Sequence, residues 1–168
     1  MRLEDFNNGL TTQLAVLTFL SVNGKTLILR RDHDPEDFMY GMHVAPGGKI
    51  ESGETPEHAA RREYFEETDL TLGNICYRGF VLFDNKERQF RGKPAKSNYL
   101  VHIFTSTLYS GELKKKDAGT PFWVLNSQLK QLKMEIGDYQ LIDILESSVT
   151  LKHRVILNDH LARIEAFD

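Results

Sequence analysis

Gly47-Gly48-Lys49-Ile50-Glu51-Ser52-Gly53-Glu54 is followed, after seven intervening residues, by Arg62-Glu63-Tyr64-Phe65-Glu66-Glu67. The second part belongs on a helix over Thr55–Thr68. Thr55 can cap its first N–H groups, Pro56 fits the first helical position, and Glu57 places negative charge at the positive end of the helix dipole. No Gly or Pro interrupts Ala59–Thr68. At about 100° per residue, Glu63, Glu66 and Glu67 share one arc with Ala59 and Ala60. Like charges at i,i+3 and i,i+4 cost a helix a few tenths of a kcal/mol per pair, and a solvated face would intersperse Lys or Arg there. Three carboxylates beside two small side chains leave room for something to come close. Two readings stay open on these residues alone: an acidic helix facing water, or a site for a hard divalent cation. Mg²⁺ takes oxygen ligands, a few from carboxylates and the rest from water and phosphate. Glu54 could add an oxygen from the loop, and Gly48 a backbone carbonyl where a side chain would obstruct. Arg62 could hold a neighbouring carboxylate bidentately and fix its rotamer.

Upstream, Thr12–Val22 is rich in β-branched and aliphatic residues, Asn23-Gly24 is a strong hairpin signal, and Thr26–Arg31 is the return strand. Asp32–Met42, broken by Pro35, reads as a loop, and Pro46-Gly47-Gly48 punctuates the chain. Downstream, Ile75–Phe83 and Tyr99–Leu108 read as strands. Between them lies the polar Asp84–Asn98, with Lys86, Arg88, Arg91, Lys93 and Lys96, read as a solvated hairpin loop or as a flap over an anionic ligand. Phe122–Leu125 is a short strand, and Gly137–Glu146 looks helical with Tyr139, Leu141, Ile142 and Leu145 apolar. Leu151–Leu157 and His160–Ala166 flank Asn158-Asp159 as a terminal hairpin over residues 151–166. Strands dominate and no repeat or linker appears, so the expectation is one α+β domain over residues 1–168 with a mixed or antiparallel sheet.

Composition narrows the classes. A chain of 168 residues, 40% hydrophobic, suits one core. A net charge of −3 lacks the basic surplus of nucleic-acid-binding proteins, so no nucleic acid polymer is expected as partner. Lys114–Lys116, the one dense basic cluster, reads as a solvated loop. The single cysteine, Cys76, excludes an intramolecular disulfide and reads as a buried structural thiol. Leu14–Leu20 is far too short to span a bilayer, and no basic-then-apolar N-terminal segment appears, so the expectation is a soluble, cytoplasmic protein with no membrane partner.

The full spacing is Gly48, five residues, Glu54, seven residues, Arg62-Glu63, apolar Tyr64, any residue, Glu66-Glu67, any residue, then Asp69-Leu70. It closely resembles the box of the Nudix (MutT-like) hydrolases, here residues 48–70, with every charged position filled. One position departs: Asp69 stands where the family has Gly, at a helix end that takes the left-handed conformation which Gly favours and Asp also visits. Leu27-Ile28-Leu29-Arg30-Arg31, Tyr99–Thr107 with Ser110-Gly111-Glu112, and Phe122-Trp123-Val124 also look like Nudix framework. The resemblance therefore covers about Thr12–Glu146.

It implies an α/β/α sandwich, a mixed sheet between helices with the box as loop–helix–loop. It also implies Mg²⁺ (or Mn²⁺) bound by Gly48, Glu63, Glu66 and Glu67, and hydrolysis of a phosphoanhydride bond by water attack at phosphorus. The implied substrate is a nucleoside triphosphate, for instance an oxidised purine such as 8-oxo-dGTP. Cleavage of ADP-ribose or another nucleotide sugar is the alternative, and a non-catalytic nucleotide-binding regulator is the alternative from another class. Loss of box glutamates would favour the regulator, and all are present. Glu66 or Glu67 is the candidate general base, with Arg62 and Glu54 also in the catalytic set. Some relatives place the base in a loop before the Trp123 strand, where Asp117 is the nearest acid. Arg30, Arg31 and Lys49 could contact phosphates. Asp138 could read a purine edge or cap a helix from Tyr139 to Glu146. Phe38, Tyr40 or Phe83 could stack on a base or belong to the core, and His43 reads as structural. Many relatives form homodimers, but no stretch here identifies an interface.

Overall fold

The computed structural model of the protein describes residues 7–90, 92–146, 154–157 and 163–166. β1 (Thr11–Val22) turns through Asn23 and Gly24 into β2 (Lys25–Arg30). Both turn residues have positive φ, 52° and 73°, which matches the twist of a two-residue hairpin, and Val22 pairs with Lys25. The short strands β3 (His43–Val44) and β4 (Gly47–Lys49) then precede helix α1 (Pro56–Thr68). After it come β5 (Thr71–Leu72), β6 (Cys76–Asp84), β7 (Gln89–Phe90), β8 (Lys93–Pro94), β9 (Ser97–Ser106), β10 (Tyr109–Ser110) and β11 (Thr120–Leu125). A 3-10 turn at Asn126–Gln131 leads to helix α2 (Ile136–Glu146) and then to β12 (Arg154–Leu157) and β13 (Arg163–Ala166).

The main sheet runs β11-β2-β1-β9-β6-β12-β13, with β3 added on β2 and β4 on β1. β1 pairs with β9, and β6 with β12, in parallel, whereas the other pairings are antiparallel. The sheet is therefore mixed. β1 is buried on both faces, and its period of two sorts the core. Val16 packs with Ala59 and Ala60 of α1, and Leu20 with Tyr64 of α1. Ala15 and Phe19 pack on the opposite side with Leu141 of α2, while Ile28 and Val124 meet Ile142. Helices thus cover both faces, the α/β/α sandwich. No helix among the described residues is long and apolar enough to cross a membrane.

Several expectations need correction. Cys76 is exposed. It opens β6 ahead of a bulge between Tyr77 and Gly79, and such a shift moves the preceding side chains to the other face. Ala59 and Ala60 are fully buried against Val16 and Phe104, so the room they leave is filled by the sheet and not by a ligand. Within Asp84–Asn98, by contrast, β7 and β8 pair as a short hairpin, in line with the hairpin reading of that stretch. β12 and β13 pair antiparallel, Leu157 opposite Arg163, whereas the turn expected at Asn158-Asp159 and the side chain of Leu145 lie outside the described residues.

Candidate active site

α1 begins and ends as its residues dictate. Thr55 Oγ1 accepts a hydrogen bond from the His58 N–H at 3.2 Å. Asp69 closes the helix at φ 65°, its N–H donating to the Phe65 carbonyl. Along the exposed side, Arg62 is a hub. Its Nε and Nη2 donate to the two carboxylate oxygens of Glu54 at 2.9 and 2.8 Å, and Nη1 reaches Glu63 at 2.8 Å and Glu66 at 3.1 Å. Nη2 also donates to the Lys49 carbonyl at 3.0 Å, tying the helix to β4. The guanidinium holds the Glu54 carboxyl down at about pKa 2, and Glu54 in return raises the pKa of Arg62. Glu54 therefore orients Arg62 and does not itself line the cleft described next.

β4 comes close to α1 because it carries no side chains at two points. At Gly47 a Cβ would lie 2.0 Å from the Val16 carbonyl oxygen of β1, and at Gly48 it would lie 2.5 Å from the Glu63 carboxyl carbon. The Gly47 N–H donates to Glu67 Oε2 at 2.8 Å. Glu67 is only 7% exposed, and burial raises its pKa to about 7 against the opposing pull of that hydrogen bond. Glu63, Glu66 and Glu67 line an open cleft of about 410 Å³ together with Lys115, Lys116, Asp117 and Ala118.

The donor set fits a hard divalent cation: three carboxylates on one cleft, beside a glycine whose missing Cβ leaves Glu63 its space. Among the described residues, no three His, Cys, Asp or Glu side chains converge tightly enough to enclose an ion as they stand, and Glu63 and Glu66 are each bonded to Arg62. The Glu66 side chain is 56% exposed, and such a surface pair contributes about 0–1 kcal/mol, so a rotamer change brings it round at small cost. Gly48→Ala should displace the Glu63 carboxylate. The expected result is a fall in turnover of about 10²-fold, with the divalent-ion requirement shifted to higher concentration in the same assay.

On the other side of Gly47-Gly48 lies a second cavity, of about 340 Å³, lined among others by Arg31, Lys49, Phe38, Phe83, Phe90 and Asp138. The structure thus brings Arg31, Lys49 and Asp138 together. Arg30 lines neither cavity and is bound to Asp32 at 2.6 Å, and Tyr40 is likewise outside. Asp138 is 7% exposed, and burial, reinforced by Glu135 and opposed by Arg88, pushes its carboxyl up to about 7. The capping alternative for Asp138 fails: α2 starts at Ile136, so Asp138 is already inside the first turn. His43 is structural, its ring bonded to the Lys133 carbonyl and set edge-on to Phe122.

One part of this cavity, Phe90, carried no local signal, and Arg88 was legible only as one basic residue of a solvated hairpin loop or flap. Phe90, on the β7–β8 hairpin, packs against Phe38 with the rings tilted by 50° and their centroids 4.6 Å apart. Arg88 lies over Phe90 at 4.9 Å and is paired with Glu135, so the hairpin is fastened to the loop before α2 and closes one side of the cavity. These contacts join residues far apart in the chain, and no spacing announces them.

The NUDIX domain family model matches residues 11–145. Among known proteins, the chain is 33% identical to a zebrafish (Danio rerio) oxidized purine nucleoside triphosphate hydrolase, over 67% of this chain and 66% of that protein. It is 30% identical to an ADP-ribose pyrophosphatase of Methanocaldococcus jannaschii, over 68% of this chain and 62% of that one. The crystal structure of a MutT protein from Bacillus halodurans superposes with a TM-score of 0.73 at 25% identity, covering 90% of this chain and 94% of that one. The family's members generally use a divalent metal. With the match extending from the first strand to the second helix, the chain belongs to the Nudix hydrolases, enzymes that act on pyrophosphate bonds.

Proposed function

We propose that the protein hydrolyses a nucleoside triphosphate between phosphates, with an oxidised purine nucleotide such as 8-oxo-dGTP as preferred substrate and Mg²⁺ (or Mn²⁺) as cofactor. The observation that carries this is the partition made by Gly47-Gly48: a carboxylate cleft on one side, an aromatic cavity with a buried acid on the other. A nucleotide has the same two ends. Gly48, Glu63, Glu66 and Glu67 would hold the ion. When bound, it supplies positive charge against the phosphates and acidifies water.

The chain's own residues do the rest. Arg62 keeps Glu63 and Glu66 on the cleft side of α1. Glu67 spends Oε2 on the Gly47 N–H and keeps Oε1 to take the proton of an attacking water, as the anhydride P–O bond breaks and its oxygen leaves with the departing phosphate. Lys49 offers a cation to the phosphate chain, as does Arg31, whose guanidinium is shared with Asp37 at 2.6 Å. Phe38, Phe83 and Phe90 offer ring faces to a base, and the Asp138 carboxyl, ionised above about pH 7, then accepts from the N–H groups of a guanine edge. Support for a purine triphosphate comes from the hydrolase relative with that specificity. The relative that acts on ADP-ribose favours the second reading. Purified protein with Mg²⁺ and a nucleotide panel separates them. If 8-oxo-dGTP turns over no faster than ADP-ribose, the preference is overturned.

Asp138 also makes a pH-dependent prediction. The folded protein keeps this proton up to about pH 7, whereas the unfolded chain loses it near the ordinary 3.8. Between those values the native state binds a proton that the unfolded state does not, so stability falls as pH rises through that window. Above it, both states are ionised and the full cost of burial is present. Asp138→Asn is therefore expected to raise the unfolding temperature by several degrees at about pH 8 and hardly at all at about pH 4, measured by thermal unfolding at both values.

A further inference from the structure

Asp69 does more than end α1. Its two carboxylate oxygens are taken by Lys114 Nζ at 2.6 Å and Lys116 Nζ at 2.7 Å, and the Lys114 N–H donates to the Thr68 carbonyl at 3.0 Å. The segment between β10 and β11 is thus stapled to the end of the carboxylate helix. Its far end is also held: the Gly119 N–H donates to the Lys116 carbonyl at 3.2 Å, and the Thr120 hydroxyl to Asp32 at 3.0 Å. Lys115 sits between two neighbours that both turn to Asp69, and it lines the cleft opposite Glu63, Glu66 and Glu67. Lys116 lines the same cleft, but its ammonium is committed to Asp69. Asp32 feels the charge of Lys115 but is already bonded by Arg30 and Thr120, and Asp117, two residues further along the loop, lines the same cleft.

We infer that Lys115 is a phosphate-binding side chain on the wall facing the glutamates, and that Asp69 is the residue that positions it. A nucleotide's phosphate chain entering a cleft with three carboxylates on one side requires positive charge from the other, and a lysine ammonium on an anchored backbone supplies it as a point charge. The departure of Asp69 from the glycine of the family pattern then has a purpose. An aspartate in the left-handed region carries a conformational cost, and the same side chain gains two cations that hold the loop. The inference rests on the reading of the carboxylate cleft as the phosphate site.

The test uses Mg²⁺-loaded protein and two readouts: kcat and KM with the nucleotide that it turns over, and calorimetric binding of a methylene-bridged, non-hydrolysable triphosphate analogue. Lys115→Ala is expected to weaken analogue binding and raise KM about 10-fold, with kcat changed less than about 3-fold and Lys115→Arg restoring most of the loss. The penalty should shrink at high salt and for the corresponding monophosphate. Lys114→Ala, which leaves Lys116 on Asp69, should stay within about 2-fold of the parent. Asp69→Gly should raise KM in the same direction without lowering the unfolding temperature, and should add nothing in the Lys115→Ala background. Unchanged binding in Lys115→Ala, or equal losses for Lys114→Ala and Lys115→Ala, overturns the inference. Glu67→Gln is the parallel control. If it is inactive while Lys115→Ala behaves as the parent, only this inference fails; if it turns over normally, the reading of the cleft fails first.

Discussion

Replacing Glu67 by glutamine is expected to cut turnover about 10²–10⁴-fold, the usual contribution of a positioned proton acceptor, while the protein keeps its fold. The substitution preserves shape, and the amide oxygen can still accept from Gly47. What it removes is negative charge and basicity at the cleft-lining glutamate that is almost wholly buried, 7% exposed. Glu63 and Glu66 line the same cleft, but each is bonded to Arg62, whereas Glu67 is held by the Gly47 N–H. Steady-state rates beside a circular dichroism melt separate chemistry from folding. Near-parental turnover would show that this carboxylate takes no part in the reaction.

Arg62→Ala is the second large effect, and it should strike both activity and stability. One guanidinium serves Glu54, Glu63, Glu66 and the Lys49 carbonyl. Without it, three like charges face one another, and the Glu54 side chain, 9% exposed, loses its bidentate partner. Outer partners of metal-binding carboxylates typically matter about 10–100-fold, and that is the expected fall in turnover at fixed Mg²⁺. The unfolding temperature should drop by several degrees and recover in part as Mg²⁺ is raised, because an ion can replace the missing positive charge. Arg62→Lys should rescue little, since an ammonium cannot reproduce the forked contact. A stability independent of Mg²⁺ in the alanine variant would contradict this account.

What could be read from the chain itself was what is decided locally. Asn23-Gly24 forces two left-handed residues, and Thr55-Pro56 starts a helix whatever surrounds it. Asp69 ends that helix in the conformation expected of the position. The spacing of Glu54, Arg62, Glu63, Glu66 and Glu67 was legible for the same reason, lying within one loop and one helix. Ala59 and Ala60 share an arc with the glutamates, but which small residues meet a ligand and which meet the sheet depends on where β1 passes. Cys76 was misread because a bulge resets the alternation that its neighbours suggest. Lys114–Lys116 looked like a solvated run until the fold carried Asp69 to within reach of two of the three. Phe90 and Glu135 joined the second cavity through contacts across the sheet and hairpin that no window of sequence contains.

The N–H of Gly47 makes one strand answerable to two masters. β4 floors the aromatic cavity, and through that single donor it also holds the buried carboxylate. On the proposed reading, a base that seats badly and nudges β4 would disturb Glu67 as well, which would couple recognition to the cutting step through a three-residue lever. Remodelling the far rim, at Phe38 or Phe90, would then alter both which base is accepted and how fast it is cut.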